Sequence, residues 1–150
     1  MGLHRPIAES MLSWSARLHE VGLALSYSGY HKHSAYLILN SDIPGFSKQE
    51  LSALAAIIGS HRRKIRMSLI EEALVESQAS LKRLVALFRL AVMLNRGRSR
   101  NHVPEVAFSV RGARWRLDFD EGWLEDHPLT RADMVTEQGY LKALDIDLVW

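Results

Sequence analysis

Apolar residues recur at three- and four-residue steps along the first hundred positions, and at two-residue steps in parts of the last fifty. Met11, Trp14, Leu18, Val21 and Leu25 fall on one face of a first helix. A polar break follows at residues 26–29, and a second helix is predicted over 31–39. Pro44 and Gly45 mark a turn. Ser47 and Glu50 then have the spacing of a capping box, in which each side chain satisfies the other residue's free backbone N–H. The helix they open carries Leu51, Leu54, Ala55 and Ile58 toward His61. Ser68 and Glu71 repeat the same spacing. A last long helix is predicted over 79–95, apolar on most of its circumference and so expected to be the central one. Arg96 suits its negative end and Gly97 a left-handed cap.

The period changes after a polar stretch at 98–104. Val106, Phe108 and Val110 alternate with other residues, as do Trp115, Leu117 and Phe119. Gly112 and Ala113 between them suit a two-residue hairpin. Thr130 and Asp133 have the spacing to cap a helix ending near Leu141. Leu144, Ile146, Leu148 and Trp150 alternate as a last strand. The expected fold class is α+β: a mainly helical bundle over 1–100, then a small β-β-α-β subdomain over 101–150.

Composition narrows the chemistry. The chain is 47% hydrophobic and 24% charged, ordinary values for a globular protein. It has no cysteine, which excludes disulfides and thiolate metal sites. Glu9, Arg17 and Glu20 interrupt any signal-peptide pattern, and the longest apolar stretch, 84–94, contains Arg89 and is too short to span a bilayer. A cytoplasmic protein with no membrane partner is expected. The net charge of +2 says little; its distribution says more. His31, Lys32 and His33 form one dense cationic group, and His61, Arg62, Arg63, Lys64 and Arg66 another. Spaced cations that displace condensed counterions suit a phosphate polymer, and arginine grips phosphate oxygens with paired hydrogen bonds. The same residues also suit a solvated helix end. His31 and His33, two apart on a helix, point away from each other and make a poor metal pair. Arg96, Arg98 and Arg100, and Arg111, Arg114 and Arg116 around the hairpin, extend the basic character. On the hairpin, aromatics and arginines alternate to opposite faces, so Trp115 and Phe119 are expected in the core and no nucleic-acid partner is expected. The acids Asp118, Asp120, Glu121, Glu125 and Asp126 follow no metal-loop spacing. No nucleophile elbow, Walker or dinucleotide pattern is present.

Residues 18–22 (Leu-His-Glu-Val-Gly), 28–37 (Ser-Gly-Tyr-His-Lys-His-Ser-Ala-Tyr-Leu), 40–46 (Asn-Ser-Asp-Ile-Pro-Gly-Phe), 61–64 (His-Arg-Arg-Lys) and 89–96 (Arg-Leu-Ala-Val-Met-Leu-Asn-Arg) together resemble the C-terminal region of the exopolyphosphatase and guanosine pentaphosphate phosphohydrolase family. The resemblance implies an HD-like helical domain that helps form a basic passage for polyphosphate and supports a homodimer. It implies that phosphoanhydride hydrolysis, with magnesium, belongs to a pair of actin-like domains. No glycine-rich phosphate loop of that kind occurs here, so this piece alone is expected to be inactive, without a catalytic residue or cofactor of its own. Polyphosphate or pppGpp is the partner the resemblance implies, held by His31, Lys32, His33, His61, Arg62, Arg63, Lys64 and Arg66.

The chain departs from an HD metal centre. The His-Asp pair is His19-Glu20 here, the final Asp falls at Val92, and no upstream helix bearing the first histidine is evident, although His4 exists. Valine has no lone pair for a metal, so no metal site is expected. His19 and Glu20 then read as a buried structural pair or as contacts at a domain junction. Tyr27 stands where family members often carry histidine; it can donate a hydrogen bond but carries no charge. The alternatives are an independent metal-dependent HD phosphohydrolase and a non-enzymatic regulatory or interaction protein.

Overall fold

A computed structural model of the chain describes residues 5–96 and 105–150. Its contacts divide the chain into two compact units, Met1–Arg89 and Leu90–Trp150. The boundary expected near residue 100, the Gly97 cap and the polar stretch 98–104 lie outside the described residues.

The first unit is built from helices α1 (Arg5–Leu18), α2 (Tyr30–Asn40), α3 (Lys48–Gly59), α4 (Met67–Glu71) and most of α5 (Gln78–Leu94). The capping box at the start of α3 is present in both directions: Ser47 N–H donates to Glu50 Oε2 (2.7 Å) and Glu50 N–H to Ser47 Oγ (3.2 Å). Every residue from Leu51 to Gly59 is buried, so α3 rather than α5 is the helix enclosed on all sides. Its composition explains this. Ser52, Ala53, Ala55, Ala56 and Gly59 are small enough to let neighbouring helices close in on every face. A Cβ added at Gly59 would lie 2.5 Å from Leu69 and 3.0 Å from Ala35. α5 keeps Ala79, Arg83 and Ala91 exposed.

Two local expectations fail. The first helix ends at Leu18, and the chain turns through a 3-10 segment at Val21–Ala24, leaving Leu25 60% exposed. Gly22 sets this turn. Its N–H donates to Ser34 Oγ (2.8 Å), and the same hydroxyl donates to the carbonyl of His19 (2.9 Å). Any Cβ at Gly22 would meet the Tyr30 carbonyl oxygen at 2.2 Å. At α4 the N-cap is Arg66, so Ser68 lies inside the first turn and its hydroxyl makes no cap. At α5 the N-terminal hydroxyl comes from Ser77, which accepts from Ser80 N–H (3.2 Å).

The second unit joins the end of α5 to β1 (Val106–Arg111), β2 (Arg114–Phe119), the single turn α6 (Trp123–Asp126), α7 (Pro128–Leu141) and β3 (Asp147–Val149). β1 and β2 form the expected hairpin, antiparallel from Val106↔Phe119 to Arg111↔Arg114, with Gly112 at φ 62° in the two-residue turn. β3 returns parallel to β2, Trp115 opposite Leu148, giving the order β1-β2-β3. Trp115 and Leu117 are buried with Met134 and Leu141 of α7, while Arg114 and Arg116 face out. Phe119 is only half-buried. The cap expected from Thr130 and Asp133 does not form. The helix starts earlier, at Pro128, whose missing N–H costs nothing at a first helical position. Asp133 instead meets Arg96 at 3.2 Å. The last strand is shorter than its alternation suggested, because Leu144 belongs to a 3-10 turn closed by Asp145 in the left-handed region. The observed class is α+β, mainly helical, with a small mixed sheet.

Candidate functional site

The end of α3 organises the polar residues of the first unit. A helix C-terminus leaves carbonyls without intrahelical partners and carries partial negative charge. Here the answering cation comes from α5. Arg89 is 2% exposed; its Nη1 donates to the carbonyl of Ser60 and its Nη2 to that of Arg63 (2.9 Å). The chain between those carbonyls makes a tight turn with Arg63 at φ 57°, a conformation that costs an L-residue about 1 kcal/mol or more unless its surroundings impose it. Beyond the turn, Arg66 N–H donates to Ser60 Oγ (3.3 Å). The His61–Arg66 segment is thus pinned at Ser60, Arg63 and Arg66 to buried groups. Arg62 is held over the Tyr30 ring, 4.8 Å from its centroid, and Arg63 and Lys64 are exposed.

Beneath the turn lies an aromatic cluster. The His61 ring centroid is 5.2 Å from His19, 6.1 Å from His31, 5.8 Å from Tyr30 and 5.9 Å from Phe88. His61 is 2% exposed, and its Nδ1 lies against the Ile58 carbonyl. A carbonyl only accepts, so Nδ1 carries the proton and Nε2 the lone pair. Burial pushes the His61 pKa down to about 3, against the opposing effect of the Ile58 carbonyl and with smaller help from His19, His31 and Arg62. His31, also 2% exposed, is pushed down to about 4, first by burial and then by Arg62, Lys32, Arg63 and Arg66. Both rings are therefore neutral at neutral pH. His31 Nδ1 and His61 Nε2 are buried without a hydrogen-bond partner among the described residues.

The structure thus divides the eight residues grouped as polyanion ligands. Lys32, Arg63 and Lys64 are exposed, and His33, Arg62 and Arg66 half-buried, so their heads are within reach of a ligand. His31 and His61 are enclosed and neutral and supply no charge to one. The fold brings the two cationic strings, about thirty residues apart, together: the His31 and His61 rings are 6.1 Å apart, and Arg62 lies over the ring of Tyr30, the residue before His31.

His19 Nδ1 bonds the Ala16 carbonyl (2.8 Å), folding the ring back over the end of α1, and its Nε2 is 3.9 Å from Glu20 Oε1. Both are half-buried, and Tyr27 is 77% exposed with its ring 6.1 Å from Tyr30. Val92 is half-buried on α5, and His4 lies outside the described residues. No group of three or more His, Asp or Glu side chains among the described residues is arranged to hold a metal ion. None of their helices is long and apolar enough to cross a membrane.

In the sequence Arg89 stands out as an interruption of an apolar run and as the first residue of the 89–96 string that carries the family resemblance. Its function depends on a partner 26–29 positions away, which no local pattern shows. An arginine inside the apolar stretch 84–94 was the available signal, since a buried charge requires a partner.

Comparison with known proteins places this arrangement. The model of a family described as Ppx/GppA phosphatase, domain III, matches residues 3–138. A guanosine-5'-triphosphate,3'-diphosphate pyrophosphatase of Pseudoalteromonas translucida (strain TAC 125) is 35% identical over 127 residues, 85% of this chain and 25% of that protein. Its namesake in Vibrio vulnificus (strain YJ016) is 36% identical over 137 residues, 91% of this chain and 27% of that protein. The chain spans about a quarter of the length of these curated relatives. With nine-tenths of its length inside the family match, the chain belongs to the Ppx/GppA phosphatase family and corresponds to its domain III.

Proposed function

We propose that this chain is the C-terminal, HD-like module of a larger phosphoanhydride hydrolase, binding the polyanionic substrate and supporting a homodimer while bond cleavage occurs elsewhere in the longer protein. The substrate is pppGpp or inorganic polyphosphate. The relatives' name favours the nucleotide, and a row of cations suits either. Magnesium, on this reading, is held outside this chain, in the domains that carry the chemistry.

One observation carries the proposal: two separate cationic segments are brought together at a buried histidine pair, with the His31 and His61 rings 6.1 Å apart and Arg62 over Tyr30. Lys32 contributes from the first turn of α2, with the His33 imidazole next to it in sequence; Arg62, Arg63, Lys64 and Arg66 contribute from the pinned turn after α3. No carboxylate forms an ion pair with any of these six among the described residues. A preset row of unneutralised cations binds a phosphate chain without paying to order itself. His31 and His61 position the row, and His19, Glu20 and Tyr27 are placed at the junction with the rest of the longer protein.

The test is calorimetric titration of the purified chain with long-chain polyphosphate and with pppGpp at about 50 mM and 200 mM salt. Binding that weakens by about tenfold or more across that range is expected for several phosphate contacts. Equal affinity at both salts, or no binding at 50 mM, contradicts the proposal.

A further inference from the structure

The sheet of the second unit has two free edges among the described residues, and they differ. β3 is three residues long, which blunts it. β1 is six residues long, pairs with β2 in unbroken register, and contains neither proline nor lysine. Its one charged residue, Arg111, stands at its end, and the strand otherwise lacks the usual devices against edge pairing. Its apolar side chains also lack cover. Val106, Phe108 and Val110 share a face with Phe119, Leu117 and Trp115. On β2 that face is buried, with Trp115 at 2% and Leu117 at 4% exposure; on β1, Phe108 and Val110 are 43% and 44% exposed. Phe108 meets the Trp115 ring edge-on, with centroids 5.5 Å apart.

Residues 105–111 read Glu-Val-Ala-Phe-Ser-Val-Arg. The string is nearly the same in both directions about Phe108, except that its two ends have opposite charge. We propose that β1 pairs antiparallel with β1 of a second copy of this chain about a two-fold axis at Phe108. Each strand then meets its own reverse. Phe108 lies against Phe108 of the second copy, Val106 against Val110, Ala107 against Ser109, and Glu105 against Arg111, twice over. The three-stranded sheets join into one of six strands with a continuous apolar face. The charges select this register. A shift of two residues, the smallest that keeps the apolar faces together, sets Glu105 against Ser109 and removes both ion pairs. Arg111 also gains an acid where its present cross-strand neighbour is another cation, Arg114. Such a contact is isologous and closes on itself.

The inference rests on the homodimer reading above and gives it a surface. One strand edge buries less than the roughly 800 Å² per partner of a standard interface, so a dissociation constant in the micromolar range or weaker is expected. Sedimentation of the chain between about 10 µM and 1 mM tests it, using variants at exposed positions that leave the fold intact. Wild type is expected to shift from monomer to dimer across that range. Glu105→Arg alone and Arg111→Glu alone, each acting at both ends of the strand pair, are expected to weaken association at least tenfold. The double reversal, Glu105→Arg with Arg111→Glu, is expected to restore it. A wild type that stays monomeric overturns both this inference and the homodimer reading for the chain. A dimer indifferent to the single reversals, or one the double reversal fails to restore, overturns this inference alone.

Discussion

The chain carries two arginine-rich turns, and they are built in opposite ways. In the second unit Arg114 lies 3.4 Å from Asp147 and Arg116 lies 2.6 Å from Asp118, so two of the hairpin's three arginines are neutralised within their own sheet. The nearby cleft is lined by three acids, Asp118, Asp120 and Glu125, with one cation, Arg131, among Phe119, Leu124 and Trp150. In the first unit Arg62, Arg63, Lys64 and Arg66 follow a helix end whose carbonyls are occupied by a different, buried arginine. The cation that completes the fold is separate from the cations left over for a ligand. Arginine count alone does not distinguish the two turns; the position of the carboxylates does.

The largest expected effect comes from removing the pin. Arg89→Met leaves the Ser60 and Arg63 carbonyls buried without their donor, and a loss of about 3 kcal/mol of stability is expected from denaturant unfolding. Arg114→Met, at an exposed pair, is expected to cost well under 1 kcal/mol. Similar losses at the two positions would erase the distinction between the turns. Next comes affinity. Replacing Arg62, Arg63 and Arg66 by alanine is expected to weaken polyphosphate binding by tenfold or more at low salt and to flatten its salt dependence. Replacing Arg111, Arg114 and Arg116 is expected to change it by less than threefold, measured by the same titration.

A third expectation concerns acid. His31 and His61 are held neutral in the fold, at about 4 and about 3, below the ordinary value of 6.5. Between those values and 6.5 the unfolded chain binds protons that the folded chain does not, so stability falls as pH falls. Thermal unfolding is expected to show a midpoint dropping steadily from pH 7 to pH 4, and His61→Gln is expected to reduce that slope. A midpoint independent of pH over this window would mean that the histidines are not enclosed as described. The smallest effect is at Arg63. Arg63→Gly relieves the left-handed strain while loosening the unfolded chain, and stability within about 1 kcal/mol of wild type is expected.

Features set by neighbours in sequence were legible before the fold was known. The Ser47–Glu50 capping box, the β1–β2 hairpin with Gly112 in its turn, and the inward Trp115 with outward Arg114 and Arg116 all follow from local spacing. Features set by distant partners were not. The first helix looked continuous through Val21 and Leu25 because the contact of Gly22 with Ser34, twelve positions on, leaves no periodic trace. Ser68–Glu71 and Thr130–Asp133 had capping spacing, yet both helices begin earlier, one after Arg66 and the other at Pro128. The Pro128 start could have been read from proline's preference for a first turn. In the candidate site the cationic strings were visible, but the burial of His31 and His61 and the role of Arg89 depend on packing between α2, α3 and α5.

The central claim is that a phosphate chain lies on the turn after α3 and the start of α2, and not on the hairpin. An amide-resolved NMR titration of the chain with polyphosphate at low salt tests this most directly. The account predicts shifts concentrated at residues 30–33 and 61–66, with little change at 111–116. Shifts centred on the hairpin, or spread evenly over both arginine-rich turns, would contradict it.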